Sequence, residues 1–172
     1  MTAETIQPLH EIPGGTRAYV DATVFLYHFT GASPDCRAFL ARCEAAEIHG
    51  LASVVTLAEV THRLMMIEAV TRGLVSPGNV AKKLREQPAI VRQLGIYQEQ
   101  VERIPLMGIE VVPLYLPVLA TAARLRAAHG LLTNDSLVLA TAQEHGVAAI
   151  ASADRDFAAV ESIQLFAPDD LS

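Results

Sequence analysis

Four stretches of the chain set a carboxylate among apolar residues: Asp21 in "YVDATVFL", Glu59 in "VTLAEVTH", Asp135 in "TNDSLVLA" and Asp154 in "IASADRDF", with Asp156 close behind the last. An isolated carboxylate in such surroundings is costly or shifts its pKa. Each has an ordinary explanation when taken alone. Asp21 can end a strand, Glu59 and Asp135 can sit favourably in a helix first turn, and Asp154 can be a turn aspartate. Together they share a position: each falls where strand gives way to helix or in a helix first turn. Carboxylates converging at one sheet edge repel one another unless a cation joins them, and oxygen-only donors suit a hard divalent ion, Mg²⁺ or Mn²⁺.

The elements that must position them alternate. "RAYVD", 17–21, reads as a short buried strand, and "TVFLYHF" continues it as helix. Residues 33–50 read as a helix with Ser33 as cap, Pro34 in the first turn and Gly50 as stop. A strand over 51–55 leads into a helix over 56–72 capped by Thr56, and "GLVSPGN" marks a turn. One or two helices interrupted near Pro88 follow, then a strand at 109–114, helices at 117–130 and 133–146, a strand at 147–152 and a last one near "IQLF". This order predicts an α/β fold, a central, mainly parallel sheet flanked by helices on both faces. Sites in such sheets lie at the carboxyl ends of the strands, where these acids fall.

With 172 residues, one core is expected: a polar arm over 1–16, then a single domain over 17–172. A net charge of −6 argues against a generally basic nucleic-acid coat, though not against a local basic patch. Cys36 and Cys43 lack metal-ligand spacing and read as two buried thiols in a reducing, cytoplasmic setting. The first residues lack a basic region and an apolar core, and the apolar run near 104–123 is broken by Pro105, Pro113 and Pro117, so neither a signal peptide nor a membrane span is expected.

Four motifs, "YVDATVFLYHF", "ASVVTLAEVTHRL", "LLTNDSLVLATAQEHG" and "AIASADRDFAAV", resemble in order and spacing those of the PIN-domain family, especially the VapC-type toxin ribonucleases. The likeness spans about residues 17–166. It implies a three-layer PIN-like fold and a metal-dependent endoribonuclease, the toxin of a toxin–antitoxin pair, acting with one or two Mg²⁺ or Mn²⁺ ions. The family's acidic quartet carries over to Asp21, Glu59, Asp135 and Asp154, and Asp156 matches a further acidic position of some members. Thr23 and Ser152 match supporting positions, although Thr23 offers a hydroxyl where the family commonly has Asn or Ser. The helical segment near 73–107 is longer than in a minimal toxin of this type.

An acidic cleft needs flanking cations to hold RNA. Arg155 and Arg63 are the leading candidates, with Arg37, Arg42, His62, the "KKLR" run and the pair Arg124 and Arg126 behind them. Alanine-rich helices at 117–128 and 137–142 look exposed and suggest a homodimer, and the resemblance implies an antitoxin partner. The alternative is a non-cleaving PIN-like module that binds RNA or protein, which retention of every acid disfavours. Receiver domains need a lysine after a late strand, and haloacid-dehalogenase phosphatases need an aspartate where Thr23 stands, so both fit worse.

Overall fold

Alternating side chains along the central strands divide the core in two. The computed structural model describes residues 6–171. In it, β2 (Arg17–Val20) sends Ala18 and Val20 to one cluster and Tyr19 to the other; β3 (His49–Ser53) divides Ala52 from Leu51 in the same way, and β5 (Ala149–Ala151) divides Ala149 and Ala151 from Ile150. Strands apolar on both sides must be covered on both. With β1 (Gln7–Pro8), β4 (Ile109–Val112) and β6 (Gln164–Ala167) they form a six-stranded sheet ordered β1-β6-β5-β2-β3-β4, in which every neighbouring pair is parallel. The sheet is therefore entirely rather than mainly parallel.

Helices α1 (Ala22–Phe29), α2 (Pro34–Glu44) and α3 (Val54–Thr71) supply Phe25, Phe39, Leu40, Val60 and Leu64 to one face. On the other face lies α8 (Thr133–Glu144), which supplies Val138 and Leu139, and α7 (Leu116–His129) packs on α8 through Val118 and Ala122. Between α3 and β4 run three short helices, α4 (Val80–Glu86), α5 (Pro88–Val91) and α6 (Ile96–Arg103), one more than the pattern predicts. They gather around a small core of their own, Ala69, Val75, Leu84 and Leu94. Among the described residues no helix is long and apolar enough to cross a membrane.

Several expectations need correction. Residues 1–5 of the predicted arm lie outside the described residues, but the rest is no loose lead-in. Gln7 and Pro8 pair with β6, Leu9 and Ile12 are fully buried, and Arg42 donates to the carbonyl oxygens of Ile12 and His10. Helix α2 stops at Glu44 rather than Gly50, because Ala46 turns left-handed (φ 57°) and the Glu47 amide returns to the Arg42 carbonyl. Gly50 instead lies inside β3, where a Cβ would run into the Ile109 side chain. The cap of α3 is Ser53, whose hydroxyl accepts the Thr56 amide, so Thr56 is already helical. The helix at 137–142 is buried, not exposed, because α7 covers it; its small residues permit that close approach within one chain.

The left-handed Ala46 gives a first stability test. That conformation costs an L-residue about 1–2 kcal/mol. Ala46 is exposed, so glycine loses no packing there. Ala46→Gly is expected to stabilise by about 0.5–1 kcal/mol after glycine's extra chain entropy is subtracted. A thermal melt reads this as a rise of about 1–4 °C.

Candidate functional site

The site is assembled at the carboxyl edge of the two central strands, β2 and β5. Asp21 leaves β2 and caps α1. It is nearly buried, 6% exposed, and its Oδ2 accepts from Thr23 Oγ1 at 2.7 Å, from Ser152 Oγ at 2.8 Å and from the Thr23 amide at 3.3 Å. Each hydroxyl gives its one proton to Asp21 and accepts a backbone amide in return: Ala153 N–H to Thr23 Oγ1 and Asp154 N–H to Ser152 Oγ, both at 3.0 Å. Thr23 and Ser152 thus brace the loop after β5, which carries Asp154, against the end of β2. With Oδ2 so occupied, Oδ1 is the oxygen Asp21 has to offer a ligand.

Asp154 opens the turn after β5 and its Oδ1 accepts the Asp156 amide at 2.9 Å. Asp135, in the first turn of α8, reaches the same place: one carboxylate oxygen each from Asp135, Asp154 and Asp156 lie within 4.8 Å of one another. Burial first, then the charges of Asp154, Asp21, Asp156 and Glu59, push the Asp135 carboxyl up from 3.8 to about 6. Burial is the larger cause, and the four neighbouring carboxylates add to it. The donor set, all carboxylate oxygen, fits a hard divalent ion.

Glu59 stands beside this group rather than in the tight cluster. Its side chain is 28% exposed; Oε2 accepts from Asn134 Nδ2 at 3.0 Å, and Oε1 pairs with Arg63 at 3.6 Å, one helical turn on. A charge in an apolar stretch of sequence is therefore only half-buried and already partnered. Arg155 has no hydrogen bond or ion pair among the described residues and is exposed next to the cluster. Arg63 is engaged with Glu59. The other basic candidates are spread out: Arg42 ties the N-terminal segment down, Arg126 donates to Ser136, and Lys83 is held by Ser76 and Pro77.

Asn134 is the site neighbour the sequence did not reveal. It lies in the first turn of α8, which begins at Thr133, and its side-chain amide donates to Glu59. No local pattern signals that pairing.

Layered parallel α/β architecture with an acidic cluster at the strand ends defines the class of fold. The sequence model of the PIN domain matches residues 18–163, and the chain belongs to that family. No curated protein sequence matches it. Similar solved structures include the following two. One is a toxin–antitoxin complex from Klebsiella pneumoniae, 22% identical, covering 85% of this chain and 94% of that one with a TM-score of 0.53. The other is VapBC2 from Rickettsia felis bound to a DNA fragment from their promoter, 13% identical, covering 88% and 98% with a TM-score of 0.57.

Proposed function

We propose that this PIN-domain protein is a Mg²⁺- or Mn²⁺-dependent endoribonuclease and the toxin of a toxin–antitoxin pair. The observation that carries the reading is the convergence of Asp135, Asp154 and Asp156 beside Asp21, with the proton affinity of Asp135 raised by burial and then by the surrounding carboxylates. Asp135, Asp154, Asp156 and Asp21 through Oδ1 would hold the cation, with Glu59 adding a carboxylate oxygen from the rim of the cluster. When bound, a divalent ion supplies Lewis-acid polarisation and neutralises charge that develops on the scissile phosphate and leaving oxygen. Glu59, oriented by Asn134 and Arg63, is the carboxylate suited to take a proton from the attacking water. Arg155, exposed and without an ion pair among the described residues, is suited to a phosphate of the RNA. The antitoxin reading draws on both structural neighbours being toxin–antitoxin assemblies. A second copy of the chain is expected to bury some of the exposed apolar side chains Tyr115, Leu116, Leu119 and Leu132.

The test is Mn²⁺ titration by calorimetry run beside cleavage of single-stranded and structured RNA. Saturable Mn²⁺ binding, with cleavage that a chelator abolishes and Mn²⁺ restores, supports the reading. Binding without cleavage favours the non-cleaving module. No binding removes the cluster as a metal site.

A further inference from the structure

The polar groups at the upper ends of β2 and β3 are arranged around one buried phenol. Tyr19 is fully buried, and its hydroxyl accepts the Ser53 amide at 3.1 Å, donates to Ser53 Oγ at 3.0 Å and lies 2.7 Å from Thr56 Oγ1, which can donate to it. Ser53 Oγ in turn accepts the Thr56 amide at 3.3 Å, so the cap of α3 is wired to the neighbouring strand. Every partner is satisfied, which is what a buried hydroxyl needs to be tolerated.

The location of this hub gives it a consequence. Tyr19 precedes Asp21 by two residues, and Thr56 lies one helical turn before Glu59. The ring belongs to the cluster containing Val138 and Leu139, which follow Asp135 on α8. One side chain thus stands among the three elements that carry Asp21, Glu59 and Asp135. Packing accounts for the ring, and a phenylalanine would fill the same space. It does not account for a hydroxyl that must be desolvated. Resting on the metal-nuclease reading, we propose that the Tyr19 hydroxyl is a positioning group, which fixes the first turn of α3, and through it Glu59, against Asp21.

Tyr19→Phe keeps the ring and removes the hub. Groups that orient a metal site from behind its ligands are worth about 10- to 100-fold in affinity or activity. Mn²⁺ affinity by calorimetry is expected to fall on the order of tenfold, and amide exchange over residues 56–59 to quicken relative to the sheet. The double variant Tyr19→Phe with Glu59→Gln should bind Mn²⁺ no more weakly than Glu59→Gln alone, because the hydroxyl acts through Glu59. Unchanged Mn²⁺ affinity, wild-type exchange over 56–59, or losses that add in the double variant would each overturn the proposal. Should Tyr19→Phe fail to fold, Thr56→Val removes a single arm of the hub and is compared in the same way. If the wild type binds no Mn²⁺, the nuclease reading fails and takes the metal role of Tyr19 with it. A fault in the positioning idea alone shows instead as a metal-binding wild type that Tyr19→Phe leaves untouched.

Discussion

Asparagine in place of Asp135 is expected to raise the melting temperature of the metal-free protein while removing the proposed Mn²⁺ binding and RNA cleavage. The carboxyl is held at about 6, above its ordinary 3.8, by burial and by Asp154, Asp21, Asp156 and Glu59. The folded state therefore keeps a proton that the unfolded chain releases, and the metal-free protein loses stability as pH rises through the window between those values. A rise from 3.8 to about 6 corresponds to about 3 kcal/mol if nothing screened it. Asp135 is only partly buried, so solvent screening brings this to about 1–2 kcal/mol. Asparagine keeps the shape and drops the charge. At pH 7.5 its melting temperature is expected to exceed that of the wild type by about 2–8 °C, and the advantage should vanish below the ordinary carboxylate pKa, where both states are protonated. Cleavage should fall at least about 100-fold, since a lost ligand exceeds a lost supporting group. Thermal melts in chelator at both pH values, with a cleavage assay, check this. A variant less stable than the wild type at pH 7.5 would mean that the chain itself compensates these charges, and the case for a cation here would collapse.

What the sequence revealed and what it hid follow from the range of the interactions. Asp21, Asp135 and Asp154 were legible because strand-to-helix transitions leave local marks, and a parallel sheet sends such transitions to one edge. Helix ends were less legible. Gly50 reads as a stop by composition, yet β3 needs it for close approach to Ile109, and the real stop uses an alanine at positive φ. The N-terminal segment looks polar, but its few apolar residues, Leu9 and Ile12, are what the core takes. The α8 helix looks exposed only until α7 is folded over it. Asn134 and Tyr19 were hidden for one reason: their partners lie 75 and 34 residues away, and no periodicity encodes a hydrogen bond at that separation.

Removing a second carboxylate, Glu68, is expected to weaken the fold rather than strengthen it. Glu68 is buried on α3; its Oε1 accepts from the Gly95 amide at 3.1 Å and from Arg72 Nη1 at 2.9 Å, and its Oε2 accepts from the Tyr97 amide at 2.9 Å. Helix α6 has no cap from its own Gly95, so Glu68 supplies one from across the chain. Arg72 extends the tie to the Gln93 carbonyl at 2.7 Å, and the helical segment after α3 is thereby fastened to it. Alanine would leave backbone amides and a guanidinium without their acceptor, at a cost of about 3–5 kcal/mol. That is a large share of an ordinary domain's ~5–15 kcal/mol. Glutamine keeps an acceptor oxygen and should cost less, about 1–2 kcal/mol. Burial alone would raise the Glu68 pKa, but the Tyr97 and Gly95 amides and Arg72 outweigh it and hold the carboxyl below its ordinary 4.5. Its contribution is therefore full above that value and is lost as pH falls through the lower folded-state pKa. Urea melts of the wild type, Glu68→Ala and Glu68→Gln at neutral pH should rank in the order wild type, Gln, Ala, with the gap between wild type and Gln closing in acid. A Glu68→Ala protein that melts like the wild type would show that the apolar cluster of Ala69, Val75, Leu84 and Leu94 holds the segment unaided. Asp135 and Glu68 differ in what faces them: converging carboxylates in one case, amides and an arginine in the other, which is why one buried carboxyl is pushed up and the other held down.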